Sequence, residues 1–244
     1  MSGDFETKAA ARGAVWDRLQ DHRLAAFPFP PHGRIPNFKG AVQAAERLFE
    51  IPAFRDAVRI KVNPDAAQRP VRAEALRRGI TVYVPTPRLA GGFMKLDPAQ
   101  ISPQDIPAAT TMSKCRSFAQ AVALTELPQL DAIVCGSVAV TGDGFRCGKG
   151  EGYSDMEFAI LAELGHAPVP VATTVHDVQL VGAFPQAAND LPLSHIVTPT
   201  QSLAVAQPPA PPKGIDWERL SPADLEAMPV LAELKALLAE KQAR

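Results

Sequence analysis

The stretch AIVCGSVAVTGDGFRCGKGEGYSDMEFAI, residues 132–160, decides the fold. It opens with the strongly apolar run Ala132 to Val140, which has the length of a strand. A run in which adjacent residues are apolar predicts a strand buried on both faces of a parallel sheet. A glycine-rich loop follows, and the segment from Tyr153 to Leu164 predicts a helix that ends at Gly165. Strand, loop and helix in this order predict one unit of an α/β sheet.

Similar elements lie on either side of this stretch. The pattern predicts strands over residues 57–62, 80–84, 169–175 and 195–198 and helices over residues 4–24, 41–49, 65–78 and 115–126, with residues 27–38 and 86–114 irregular. We therefore predict an α/β fold, a Rossmann-like three-layer sandwich with a mostly parallel sheet, over residues 1–205. Residues 206–244 are predicted to form a Pro-rich linker, beginning AQPPAPPKG, and a C-terminal helix over Trp217 to Lys241.

Composition excludes several classes of protein. The 244 residues are 46% apolar and 21% charged, with a net charge of -1, so no electrostatic argument favours a nucleic-acid or membrane partner. No apolar run approaches the roughly 20 residues that span a bilayer. The three cysteines are widely spaced and odd in number, which argues against a disulfide framework. We expect a cytoplasmic monomer or homodimer that binds a small molecule.

The loop from Gly142 to Gly152 has glycine at five of its eleven positions, in a chain with 16 glycines. Glycine lets backbone N–H groups converge on an anion and lets that anion approach closely. The helix that follows adds unpaired N–H groups and the positive end of its dipole, and Arg146 and Lys149 add formal charge. The combination favours a phosphate chain, although a mobile surface loop is the simpler alternative.

Asp155 falls in the first turn of the helix that follows the loop. A carboxylate there is stabilised by the helix dipole alone. It is also placed to hold a Mg²⁺ ion that bridges phosphates, because magnesium commonly takes one or two carboxylates and several substrate oxygens. Both readings stay open.

Two cations lie on the apolar side of the first predicted helix. Lys8 and Arg12 project on the same side as Val15, Trp16 and Leu19 at 100° per residue. Cations in that position are costly unless an anion meets them, and the anion is either a protein carboxylate or a ligand phosphate. Side chains that extend along the apolar face to water are the third reading.

These motifs together resemble the 5-formyltetrahydrofolate cyclo-ligase family, also called methenyltetrahydrofolate synthetase, over roughly residues 5–205. The family's loop R-x-G-x-G-x-G-Y-Y-D is matched by residues 146–155, and its K-x-x-x-R helix by Lys8 and Arg12. A later segment resembles residues 185–199, including Asp190. The chain is most similar to the divergent branch called methenyltetrahydrofolate synthetase domain-containing proteins.

The resemblance implies ATP- and Mg²⁺-dependent conversion of 5-formyltetrahydrofolate to 5,10-methenyltetrahydrofolate, ADP and phosphate. It implies that Arg146, Lys149 and Asp155 are catalytic and that Asp155 holds the metal. The residues that it implies for nucleotide binding are Lys8, Arg12, Arg146, Gly148, Lys149, Gly150, Glu151, Gly152, Tyr153 and Asp190. The small-molecule partner would be a reduced folate or an analogue.

Three departures from the family pattern leave alternatives open. Ser154 replaces the second tyrosine of the loop, and Glu151 places a negative charge beside the expected phosphates. The family's folate-side glutamate is missing from residues 61–65, where Asp65 is a candidate substitute. The alternatives are an ATP-binding paralogue with another substrate, in thiamine or other cofactor metabolism, and a non-enzymatic nucleotide-binding module.

Overall fold

The structure is a computed structural model that describes residues 3–242. In this part of the chain the strands are β1 (Ala25–Ala26), β2 (Asn37–Phe38), β3 (Arg59–Val62), β4 (Thr81–Pro85), β5 (Phe93–Leu96), β6 (Gln120–Val122), β7 (Ala132–Cys135), β8 (Ala139–Thr141), β9 (Arg146–Cys147), β10 (Val171–Thr174), β11 (Leu180–Val181), β12 (His195–Val197) and β13 (Ser202–Ala204). The α-helices are α1 (Lys8–Asp21), α2 (Ala41–Leu48), α3 (Pro52–Arg55), α4 (Arg69–Arg77), α5 (Ile106–Ala109), α6 (Tyr153–Glu163), α7 (Pro222–Ala227) and α8 (Val230–Gln242).

A large sheet forms the centre of the molecule. Within residues 3–242 it has eight strands, in the order β13-β12-β10-β7-β3-β4-β5-β6. The five strands from β12 to β4 pair in parallel, whereas β13, β5 and β6 add antiparallel strands at the two edges. The predicted α/β fold with a mostly parallel sheet is therefore confirmed.

Strand β7 shows how the layers form. Ala132 and Val134 belong to the core cluster on one face, which includes Leu48 of α2 and Val71 of α4. The alternate residues of β7 belong to the cluster on the other face, which includes residues of α6 and α8. Each fully buried Val or Leu side chain contributes about 1.5–3 kcal/mol of transfer free energy, so a strand that is apolar at every position stabilises both interfaces. The result is the expected three-layer sandwich.

A smaller sheet attaches α1 next to the glycine-rich loop. Its strands lie in the order β11-β8-β9, and β9 lies within the loop itself. Val15 and Leu19 of α1 are fully buried in one cluster with Val138, Ala139 and Cys147. This packing fixes the part of α1 that carries Lys8 and Arg12 beside residues 148–152.

The prediction of one strand from Ala132 to Val140 was wrong. The chain leaves the central sheet after Cys135 and enters the small sheet at Ala139. Side chains satisfy the carbonyls in between: Arg146 Nη2 donates to Gly136 O at 3.0 Å, and Gln179 Nε2 donates to Ser137 O at 3.0 Å. The backbone can break off the strand there because its acceptors have other donors.

The prediction of a helix over residues 115–126 was also wrong. This segment contains β6 between two short 3₁₀ turns, and the supposedly irregular residues 86–114 contain β5 and α5. Strand β5 pairs with β4, and β6 pairs with β5. Hydrogen bonds between the backbones of separate segments determine the strands in this part of the chain. The periodicity of the local sequence does not predict such bonds.

The C-terminal segment is broken where one helix was predicted. It forms a 3₁₀ turn at Trp217–Arg219, then α7 and α8, and prolines at positions 222 and 229 precede or open the two helices. Leu231 and Leu234 of α8 are fully buried in the cluster on one face of the large sheet. The division of the chain at residue 205 stays a prediction. Among residues 3–242, no helix combines the length and apolarity that crossing a membrane requires.

Candidate functional site

A cavity of about 500 Å³ opens where β3 and β4 end and α6 begins. Its lining combines the loop at residues 148–152, the first turn of α6, one side of α1 and the segments after the two strands. Ligands of open α/β sheets bind outside the carboxyl ends of the strands, so the cavity lies where such a fold places its site.

The cavity is lined by every site residue predicted from the sequence. These are Lys8, Arg12, Arg146, Gly148, Lys149, Gly150, Glu151, Gly152, Tyr153, Asp155 and Asp190. They come from α1, the loop, α6 and the segment before β12, so the fold brings together residues that are far apart in sequence. Their individual roles in binding and catalysis stay predictions.

The α1 cations contact protein acceptors at the edge of the cavity. Lys8 Nζ lies 2.5 Å from both carboxylate oxygens of Asp190, and Arg12 Nε donates to Gly148 O at 2.6 Å. A Cβ at Gly150 would lie 3.6 Å from the Arg12 guanidinium, so the loop passes directly over it. Each side chain keeps further N–H groups beyond these bonds, and both line the cavity. The anion that meets Lys8 is thus a protein carboxylate, which was one of the alternatives, whereas Arg12 meets a neutral carbonyl.

Arg146 is 3% exposed and is bonded through all three of its nitrogens. It donates to Asp155 Oδ1 at 2.9 Å, to Gly136 O at 3.0 Å and to Ser137 Oγ at 3.3 Å. Burial disfavours the charged guanidinium, but the Asp155 carboxylate and other nearby anions outweigh that effect and raise the pKa of Arg146. Arg146 therefore stays charged and orients Asp155.

Asp155 is held on one side and open on the other. Its Oδ1 also accepts from the backbone N–H of Leu191 at 2.9 Å, so a cation and a main-chain donor fix the carboxylate. Among residues 3–242, no group of three or more His, Cys, Asp and Glu residues is arranged to hold a metal. A fixed carboxylate with a second oxygen available fits Mg²⁺, which takes most of its ligands from phosphates and water.

The glycine-rich loop presents backbone N–H donors, and a neighbouring carboxylate balances the charge of its lysine. Gly150 and Gly152 have φ of +110° and +72°, a region that favours glycine. Gly152 is the N-cap of α6 and no side chain in the described part of the chain caps this helix, so its first N–H groups remain available to an anion. Lys149 Nζ lies 2.7 Å from Glu151 Oε2, and both side chains are more than a third exposed.

A buried polar cluster, which we call the polar floor, was not predicted as part of the site. It consists of Lys61, Asn63, Ser154 and Glu157. Lys61 (1% exposed) forms an ion pair with Glu157 (3% exposed) and donates to Asn63 Oδ1 at 2.7 Å. Asn63 Nδ2 in turn donates to Ser154 Oγ at 2.8 Å. All except Lys61 line the cavity. The sequence shows Lys61 and Glu157 as charged residues with apolar neighbours in β3 and α6, and it indicates no contact between them.

Burial raises the pKa of two carboxyl groups of the site. It raises the pKa of Glu157, and the Lys61 ammonium opposes this shift. It also raises the pKa of Asp65, which lines the cavity, although Arg72, Lys149 and Lys61 oppose it. The Asp65 carboxylate is close to the backbone of Gly136, where a Cβ would lie 2.7 Å from Oδ2. Asp65 is therefore a carboxyl group that changes charge at higher pH than an exposed aspartate.

The fold and the cavity define an α/β protein with a cation-bearing glycine-rich loop at the carboxyl edge of a parallel sheet. The chain belongs to the 5-formyltetrahydrofolate cyclo-ligase family, whose model matches residues 6–199. The resemblance inferred from the loop and from the α1 cations is thus confirmed.

Curated relatives are similar along almost the whole chain. The methenyltetrahydrofolate synthase domain-containing protein of Mus musculus is 43% identical over 244 residues, covering 97% of this chain and 65% of the relative. The proteins of the same name from Bos taurus and Homo sapiens are 41% and 36% identical, and the alignments cover 62% of each. This chain therefore spans just under two thirds of the length of these relatives.

A solved structure supports the fold. The NMR structure of Aquifex aeolicus 5,10-methenyltetrahydrofolate synthetase matches with a TM-score of 0.51 and covers 83% of this chain and 95% of that chain. The two sequences are 15% identical, so the comparison concerns the fold alone.

Proposed function

We propose that this chain is a ligase that uses ATP and Mg²⁺ to convert 5-formyltetrahydrofolate into 5,10-methenyltetrahydrofolate. The observation that carries the proposal is the convergence of Lys8, Arg12, Arg146 and Lys149 on a glycine loop at an uncapped helix N-terminus, in a chain of the cyclo-ligase family. Four cations and several backbone donors around one cavity suit a triphosphate better than a singly charged ligand.

The proposed reaction transfers one phosphoryl group and closes one ring. The formyl oxygen attacks the γ-phosphorus of ATP, the bond to the bridging oxygen of ADP breaks, and N10 then attacks the activated formyl carbon. Phosphate leaves with the former formyl oxygen and N10 loses its proton. In a loose transition state of this kind the protein contributes mainly position and charge neutralisation.

The residues of the cavity would divide this work. Lys8, Arg12 and Lys149 bind phosphate oxygens together with the loop N–H groups, and Arg146 holds Asp155 in place. Mg²⁺, bound through Asp155, would supply charge neutralisation between the phosphates. Asp190 positions Lys8, which it contacts at 2.5 Å. Tyr153 contributes to the nucleotide side of the cavity.

Asp65 follows β3 and lines the cavity, and its carboxyl group would contact the folate. A partly buried carboxyl group suits recognition of N–H donors on a heterocyclic ring. An alternative is that the chain kept the ATP half of the site and takes a different substrate. The polar floor supports this alternative, because its four side chains are arranged in a specific set of polar contacts.

A spectrophotometric assay tests the proposal. Purified protein with 5-formyltetrahydrofolate, ATP and Mg²⁺ should generate the near-ultraviolet absorbance of methenyltetrahydrofolate, and omission of ATP should abolish it. ATP binding without turnover would favour the alternative substrate, and absence of ATP binding would overturn the nucleotide assignment.

A matched pair of variants tests the loop. Lys149→Ala should weaken ATP binding about tenfold, because a charge-assisted contact to phosphate is lost. Lys39→Ala is the control, since Lys39 is exposed and lies outside the cavity lining. Equal affinities of the two variants in calorimetry would remove the loop from the nucleotide site.

A further inference from the structure

The hydrogen bonds of the polar floor have a fixed direction. The Lys61 ammonium can only donate, so the amide oxygen of Asn63 must face it, and this oxygen lies 2.7 Å from Nζ. The amide nitrogen of Asn63 therefore faces Ser154 and donates to Ser154 Oγ at 2.8 Å. Ser154 Oγ is thus an acceptor in this chain of bonds.

The buried ion pair keeps this direction from reversing. Lys61 lies against Glu157, and both are almost completely buried. The Glu157 carboxylate accepts on one side of the Lys61 ammonium and Asn63 Oδ1 accepts on another, and an ammonium has N–H donors but no acceptor. An amide rotated the other way would present N–H groups to an ammonium, so the observed orientation is the favourable one.

The hydroxyl hydrogen of Ser154 remains free for the cavity. Within residues 3–242, the hydrogen bond from Asn63 is the one that Ser154 Oγ makes, and the side chain is partly exposed in the cavity lining. A hydroxyl has one O–H donor, and this donor has no protein acceptor here. Ser154 therefore faces the cavity as a hydrogen-bond donor.

We propose that Ser154 determines substrate specificity by donating a hydrogen bond to a carbonyl oxygen or an unprotonated ring nitrogen of the substrate. Lys61, Asn63 and Glu157 are positioning residues that hold it in this orientation. A substrate that presents an N–H group at the same place meets a second donor and is rejected. The inference rests on the proposed function, since 5-formyltetrahydrofolate carries carbonyl acceptors on its ring and its formyl group.

Two variants test the direction of the bond as well as its presence. Ser154→Ala removes the donor. Asn63→Asp keeps Ser154 but replaces the amide donor by a carboxylate, which accepts from both Lys61 and Ser154 and so turns the hydroxyl away from the cavity. Both variants should raise KM for 5-formyltetrahydrofolate about three- to tenfold, with kcat and the KM for ATP changed less than twofold. The double variant should show no further increase.

The controls separate this inference from the proposed function. Ser154→Thr keeps the hydroxyl and should keep KM near the wild-type value, and thermal unfolding checks that every variant is folded. An unchanged KM in Ser154→Ala, or in Asn63→Asp, would overturn the role of Ser154 and leave the cyclo-ligase activity standing. A wild-type protein without turnover or folate binding would overturn both.

Discussion

The burial of the ion pair between Lys61 and Glu157 allows the loss of stability on its removal to be predicted. Both side chains are nearly inaccessible to water, at 1% and 4% side-chain exposure. Replacing one partner leaves the other as an uncompensated buried charge, which costs about 3–5 kcal/mol. We therefore expect Lys61→Met and Glu157→Leu each to lower the free energy of unfolding at pH 7 by that amount.

The double variant should recover most of this loss. Two apolar side chains of similar volume remove both charges together, and such replacements of buried ion pairs are commonly neutral or stabilising. Equilibrium unfolding in urea should give a coupling free energy of about 3 kcal/mol or more between the two positions. If the losses of the single variants add in the double variant, the pair makes no stabilising contact.

The loss of stability in Lys61→Met should depend on pH. In Lys61→Met the carboxyl group remains, and burial already raises the pKa of Glu157 above its ordinary value. Its folded-state pKa then exceeds the unfolded value, so stability is complete at low pH and is lost as pH rises through the folded-state pKa. A loss of stability in Lys61→Met that is the same at every pH would refute this reasoning.

Three further predictions concern the cavity. Glu151→Gln should tighten ATP binding about threefold, because one negative charge at roughly 6 Å from phosphate costs about 0.7 kcal/mol in water. In calorimetry, this gain in affinity should shrink at high salt. Weaker binding would contradict the phosphate assignment. Gly136→Ala should lower the free energy of unfolding by about 1–3 kcal/mol, because its Cβ would lie 2.7 Å from Asp65 Oδ2 and 2.8 Å from Ile35 Cγ2. Gly142→Ala, with nothing within 4 Å, is its control in urea unfolding, and equal losses would refute the close packing. Asp65→Asn should raise the melting temperature at neutral pH, because the raised pKa of Asp65 means that its charged form destabilises the folded state above that pKa. The gain should vanish as pH falls below the ordinary aspartate range. A gain that does not depend on pH would contradict this prediction.

The sequence by itself determined the central part of the fold. The apolar strand, the glycine loop and the helix at Tyr153 follow from local composition, because burial on both faces requires apolar residues at every position and glycine is needed where φ is positive. The same local signals predict an anion site, since convergent glycines, two loop cations and a helix N-terminus are contiguous in sequence. The K-x-x-x-R spacing on α1 was equally readable, as both cations share one helix face.

The edges of the sheet were decided by tertiary pairing. Strands β5 and β6 carry no strong alternation of their own, and they form because β4 offers an unpaired edge. The break at Gly136 likewise depends on donors from Arg146 of β9 and from Gln179, which the fold brings to the two carbonyls. Local propensity contributes too little free energy to override such backbone pairing.

The polar floor was decided by the tertiary structure alone. Lys61 and Glu157 are almost a hundred positions apart, and only the packing of α6 on β3 brings the ammonium and the carboxylate into contact. The sequence showed each as one of several charged positions in its element and gave no partner for either. A buried charge is tolerated only where an opposite charge meets it in three dimensions, so the pairing, and the direction of every bond that depends on it, exists only in the folded protein.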